Sequence, residues 1–295
     1  MIKEIFSRPV PALLMGAVII SFSSVLVNIS NVHSSVSAFY RMFFGSLFLI
    51  CICFVNKEFK IRNLKKNLLA IACGLVFAFD LLAWHSSIGY VGPGLATILG
   101  NFQVFVLSIV GFMIFKEKLA MTFVLSLPLA FLGLFLILGI DIGHLSRSYG
   151  IGVFLGLLTA VFYSMYLLIL KKLQSDKNDF SLVYYLMLVS VSCSFFLGCW
   201  IYASNRSFQI PDATTFSTLL CLGFFIQCVA WIIISNALPK MKASHAGLIL
   251  LLQPTLSFIW DVIFFNRQTG AAGWIGVMIV VTAIYLGMIA KEKSS

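Results

Sequence analysis

Apolar residues run along this chain in blocks of about twenty, separated by short stretches where Lys, Arg, Asn and Ser gather. A helix rising 1.5 Å per residue needs roughly that many positions to cross ~30 Å of hydrocarbon. The blocks lack the sustained alternation that barrel strands would show. The pattern therefore predicts ten membrane-spanning helices, near residues 9–28, 34–55, 67–88, 93–115, 120–140, 150–170, 180–202, 215–236, 243–265 and 271–290. The first block follows Lys3 and Arg8 but has no small-x-small cleavage site, so it reads as a span and not as a signal peptide.

Composition agrees with that pattern. With 61% hydrophobic and 10% charged residues, and a mean hydropathy of +1.04, the chain has too little polar surface to cover a soluble globule. It is an integral membrane protein. Charge then tests the span count. If the N-terminus is cytoplasmic, sixteen of the twenty Lys and Arg fall on the inner side, from Lys3 and Arg8 through Lys57, Lys116, Lys171 and Lys240 to Lys293. The outer loops hold only Arg147, Arg206 and Arg267, and Arg41 stays inside the membrane. A missed or invented span would invert every later loop and spoil this bias, which predicts two cytoplasmic termini. The net charge of +10 follows from topology and attraction to anionic lipid, with no nucleic-acid partner needed.

The seven cysteines fall within predicted spans without CxxC or Cys/His ligand spacing. They read as small buried hydrophobes, and neither a disulfide nor a metal site is expected.

The chain also resembles itself. At an offset of 140, Gly16 falls on Gly156, Phe22 on Phe162 and Ser24 on Ser164; at 150, Ala96 falls on Ala246 and Gln103 on Gln253. Each half, 9–140 and 150–290, thus holds five spans. An odd number makes the second half enter the membrane from the opposite side, which is the inverted repeat of transporters.

Polar residues at mid-depth should face the bundle interior, since lipid does not solvate them. At helical spacing Gly152, Gly156, Thr159 and Tyr163 share a face of span six, mirrored by Gly16 and Ser23 of span one. Span three offers Asp80 and Trp84, and span four Gly94, Thr97, Asn101 and Ser108. Span eight offers Gln227 and Trp231, and span nine Gln253, Ser257 and Trp260. The expected solute-binding set is Ser23, Trp84, Asn101, Tyr163, Gln227, Trp231, Gln253, Ser257 and Trp260. The competing use of such residues is interhelical hydrogen bonding, and for Trp84 and Trp231 anchoring at the lipid interface. Small residues on spans five and ten, Ser126, Ala130 and Gly133 against Gly273, Gly276, Ala283 and Gly287, suit close packing.

Three intramembrane charges remain, Arg41, Asp80 and Asp261. Arg41 and Asp80 lie at matching depths, ~10 and ~12 Å below the outer surface. They are expected to pair, with Asp261 as the second candidate partner of Arg41. Asp80 as a proton carrier, or Arg41 as a ligand for a solute carboxylate, stays open.

The SAFYR segment ending at Arg41, the FKEKL segment from Phe115 to Leu119 and the AL-x-x-x-x-AS-A segment from Ala237 to Ala246, in this order on five plus five spans, resemble the EamA branch of the drug/metabolite transporter superfamily. The resemblance implies a ten-helix all-α bundle of two pseudo-symmetric halves with a central cavity. It implies transport of amino acids, related metabolites or drugs, and no cofactor. The glutamate that closes span four in that family is Glu117, but the equivalent place in the second half is Arg267. Glu117 is expected to pair locally or to cap the helix that follows it.

No P-loop, HExxH or GxSxG sequence is present, so neither a primary pump nor a soluble-type catalytic centre has support. The sequence points to a secondary transporter of a small organic solute, in a bacterial inner membrane, working by alternating access. The alternative is an intramembrane enzyme or receptor. Its expected partners are the solute and membrane lipid, with the chain acting as a monomer or a homodimer.

Overall fold

The structure, a computed structural model, describes residues 8–60, 62–138, 147–175 and 181–289, excepting the side chains at 93–94 and 147–148. Lys3, Lys177, Lys291 and Lys293, counted above, lie outside the described residues, as does any side-chain detail at Gly94. Among the described residues ten helices are long and apolar enough to cross a membrane: α1 Pro9–Ile29, α2 Ser34–Val55, α3 Leu64–Gly92, α4 Leu95–Met113, α5 Met121–Leu138, α6 Tyr149–Ser175, α7 Leu182–Ala203, α8 Ala213–Lys240, α9 Ala243–Phe265 and α10 Ala271–Met288.

Local chemistry sets the helix ends. Pro9 opens α1, where its missing N–H costs nothing. Ser181 caps α7 by accepting from the Tyr184 N–H at 3.1 Å, and Asp212 caps α8 by accepting from the Thr215 N–H at 2.7 Å. Between α3 and α4 the chain stays helical except at Gly92, whose φ of 80° and ψ of 161° suit a residue without Cβ. α9 stops at Asn266, in the left-handed conformation at φ 49°.

The chain divides into two compact units, each drawing on both sequence halves: Met1–Leu82 with Met165–Lys240, and Ala83–Ser164 with Met241–Ser295. In the first unit, close crossings rest on glycine. A Cβ on Gly223 of α8 would lie 2.8 Å from the Gly45 nitrogen of α2, and one on Gly74 of α3 would lie 2.5 Å from the Val189 carbonyl oxygen of α7. α8 also changes pitch, being α-helical to Cys221, π-helical from Leu222 to Ala230, and α-helical again from Trp231.

In the second unit α5 and α10 meet backbone to backbone. A Cβ on Gly133 would lie 2.7 Å from the Gly276 oxygen, and one on Gly276 would lie 2.8 Å from the Ile137 nitrogen. The small residues of spans five and ten thus pack as their pattern predicts. Around this seam Phe123, Phe131, Leu134, Leu248, Leu251 and Val280 form a buried cluster. Gly152 and Gly156 of α6 likewise make a packing face, since a Cβ on Gly156 would meet Leu99 and the Ser87 hydroxyl. That hydroxyl donates to the Gly152 carbonyl at 2.8 Å. The span-six stripe therefore serves helix contact at its glycines.

All seven cysteines are free thiols, but Cys51 and Cys199 are exposed, Cys221 is half-buried, and only Cys53, Cys73, Cys193 and Cys228 are buried. The expectation of seven buried hydrophobes fails for the first two because each points outward from its helix, to the side that lipid would solvate.

Candidate solute site in the first unit

Buried polar and aromatic residues of the first unit come together from four helices. On α8, Gln227 and Trp231 are 0% and 1% exposed. They stand four residues apart across the end of the π segment, whose wider turn keeps such residues near one line. Gln227 packs under Gly45 of α2, in the space a Cβ there would fill. Its Nε2 donates to the Ser190 hydroxyl of α7 at 3.0 Å, while its Oε1 meets no donor among the described residues.

One turn onward, Trp231 closes an aromatic box. Tyr166 of α6 stacks on Phe77 of α3 with ring centroids 4.2 Å apart. The indole stands edge-on to both, 4.9 Å from Tyr166 and 6.0 Å from Phe77. Such edge-to-face contacts suit the quadrupoles of the rings. The Cys73 thiol donates to the Tyr166 carbonyl oxygen at 3.7 Å and ties α3 to α6. Trp231 Nε1 finds no acceptor among the described residues. Its enclosure rules out the lipid-interface role; Trp200 and Trp274, near span ends and about half exposed, are placed for that.

One helical turn beyond Phe77, Asp80 is buried, and its Oδ1 has no hydrogen-bond donor among the described residues. The Arg41 guanidinium acts electrostatically on this carboxyl and on the Cys193 thiol. Asp261, the second candidate partner of Arg41, is engaged elsewhere. Its Oδ2 lies 3.6 Å from Arg267 Nη1, and Arg267 lies over the Phe258 ring at 5.1 Å. The turn at Asn266 folds Arg267 back along α9, which is why the local pair forms.

Of the residues expected from the sequence, Gln227, Trp231, Asp80 and Arg41 lie in this unit; Phe77, Tyr166, Ser190 and Cys193, which adjoin them, were not singled out. Aromatic residues in apolar spans carry no signature of their own, and a lone serine reads as interhelical glue. Of the other expected residues, Ser23 in this unit is half-buried beside the break in α1 at Phe22.

The rest belong to the second unit. Trp84 is half-buried, its ring 5.0 Å from that of His85. Asn101 Nδ2 donates to the Thr97 carbonyl of its own helix at 2.8 Å. Gln253 Nε2 is buried without an acceptor among the described residues. Tyr163, Ser257 and Trp260 are half-buried, with Trp260 6.3 Å from the Phe264 ring. His245 stacks on Phe123 at 5.1 Å, as a structural histidine would.

Glu117 departs from the local role expected of it. Its carboxylate is buried and accepts from the Ala243 N–H at 2.7 Å, the Ser244 N–H at 3.3 Å and the Ser244 hydroxyl at 2.6 Å. It caps α9, 126 residues away, and not the helix that follows it. A Cβ on Gly111 would run into this carboxylate, so the glycine makes room for it.

Ten apolar helices among the described residues, consistent with two inverted five-helix repeats, make a multi-pass all-α membrane protein. The EamA-like transporter family matches residues 8–139 and again 150–289, and the chain belongs to that family. A relative from Haemophilus influenzae, named an uncharacterized transporter, is 25% identical over 307 residues, covering 96% of this chain and 94% of that protein. A solved structure described only as a crystal structure of a protein aligns with a TM-score of 0.81 at 13% identity, over 94% of this chain and 96% of the other. At that identity it shows the fold.

Proposed function

We propose that the protein is a secondary transporter that carries a small organic solute, an amino acid or related metabolite, by alternating access. The observation that carries the reading is the set of buried polar atoms without hydrogen-bond partners among the described residues: Asp80 Oδ1, Gln227 Oε1 and Trp231 Nε1. Each would cost ~1–3 kcal/mol if left unsatisfied. A polar solute passing through the unit offsets that cost, while the box of Phe77, Tyr166 and Trp231 holds its apolar part. Ser23, Trp84, Asn101, Tyr163, Gln253, Ser257 and Trp260 join this proposal on their mid-depth positions. The repeat boundary between 140 and 150, cytoplasmic termini and a bacterial inner membrane belong to it too, supported by the duplication and the Lys/Arg bias. Arg41 paired with Asp80 fixes the outer half of the bundle; coupling to a proton at Asp80 is the second use of the same carboxyl.

Purified protein in liposomes tests the reading. Amino acids, nucleosides and quaternary amines are first ranked by the thermal stabilisation each gives. Uptake of the best should saturate and be accelerated by the same solute on the far side. Gln227→Ala and Trp231→Ala should weaken binding with the fold intact. Stabilisation without any flux would favour a receptor, and normal affinity in both variants would place the site elsewhere. If Asp80→Asn keeps solute exchange but loses pH-driven uptake, the proton role holds.

A further inference from the structure

Away from the buried site, three groups meet at the start of α2. His33 precedes the helix, and its Nδ1 accepts the Ser35 N–H at 3.2 Å as a side-chain cap. The Arg206 guanidinium, from the connection between α7 and α8, lies 2.8 Å from the same Nδ1 and donates to the Ser35 hydroxyl at 2.9 Å. The Ser35 N–H needs an unprotonated Nδ1 to accept it, while the guanidinium lies against the ring, 3.0 Å from Nε2 as well. A proton on Nδ1 would remove the cap and set an imidazolium against a guanidinium and the positive end of a 22-residue helix.

We propose that His33, Ser35 and Arg206 form a proton-sensitive clasp joining the α1–α2 connection to the α7–α8 connection, closed while His33 is neutral and opened by acid. The neighbouring groups support this. Among the described residues, the charge acting on His33 is that of Arg206. Burial first, and Arg206 second, push its pKa below the ordinary value of 6.5. The carboxylate on the adjoining element, Asp212, is committed to the α8 cap, where the Thr215 N–H holds it below the usual carboxylate range. The same face is held by further bonds, from the Asn31 N–H to the Thr215 hydroxyl of α8 at 3.4 Å and from the Tyr40 hydroxyl of α2 to the Phe208 carbonyl at 2.6 Å. Neither tie needs a neutral imidazole, so acid releases one clasp without parting the whole face. An open pocket of about 480 Å³, lined by Asn31, Val32, His33, Arg206, Ser207 and Gln209 among others, gives an imidazolium room to turn away and hydrate.

The sign follows from linkage. The closed state resists protonation and the open state does not, so the contribution of the clasp is complete above pH 6.5 and is lost as the pH falls towards the lowered pKa. Amide hydrogen exchange of full-length protein in lipid nanodiscs tests it at about pH 7.5 and about pH 5.5, corrected for intrinsic rates. Protection of the peptide covering Ser35 to Ser37 should fall several-fold in acid. His33→Asn, which keeps a capping oxygen but cannot titrate, should show equal protection at both values. Arg206→Gln should shrink the acid effect. Wild-type protection that does not change with pH, or an unchanged acid loss in His33→Asn, would overturn the proposal.

Discussion

Glu117 and Ser244 meet across 127 residues of sequence, the carboxylate accepting from the hydroxyl at 2.6 Å and from the Ser244 backbone N–H at 3.3 Å. Helix N-termini present unsatisfied N–H groups and a positive field, and a buried carboxylate answers both. Where a local cap would hold only its own helix, this one fixes the start of α9 to the end of α4. Glu117→Ala should cost about 2–3 kcal/mol in denaturation of the detergent-solubilised protein. Glu117→Gln should cost less, since its amide oxygen still accepts. Equal stability of Glu117→Ala and wild type would mean that the cap contributes nothing.

The seam between α5 and α10 makes a sharper steric prediction. A methyl on Gly133 or Gly276 meets backbone atoms of the partner helix, which cannot rotate away. Each Gly→Ala change should destabilise by about 1–3 kcal/mol, and Gly133→Val by more. Gly270, with nothing near its Cβ position, is the control. Thermal midpoints in one detergent decide, and a Gly133→Ala protein as stable as the Gly270→Ala one would refute the seam.

Arg41 and Asp80 should behave as a coupled pair. Arg41→Ala and Asp80→Ala are each expected to lose stability, and the double change to lose less than the sum, because each single change strands the other charge in the membrane. Additive losses in a double-mutant cycle would show that the two are independent.

Thiol reactivity follows from burial. Cys51 and Cys199 should react with a membrane-permeant maleimide in mild detergent, whereas Cys73, Cys193 and Cys228 should react only on unfolding. Mass spectrometry of the labelled peptides reads this directly. Early modification of Cys193 would contradict the enclosed core of the first unit.

The ten helices were legible because the bilayer imposes a length. The span predicted at 34–55 is α2, and that at 243–265 is α9, to the residue. Duplication was legible as well, since it is a property of the sequence; so were the glycines of α5 and α10, because small residues on one helical face leave few uses but close packing. Partners across the fold were not. Nothing near Glu117 announces Ser244, and its neighbours Lys116 and Lys118 suggested local pairing. Asp261, nearer the outer end of its span, was offered to Arg41 on the reach of a long side chain, yet the left-handed turn at Asn266 sets Arg267 beside it. Trp231 could have faced lipid or the interior, and the rings of Phe77 and Tyr166 decided it. Helix length and periodicity are local quantities that hydrophobic burial fixes residue by residue. Which faces meet depends on how distant helices pack, and only the tertiary structure holds that choice.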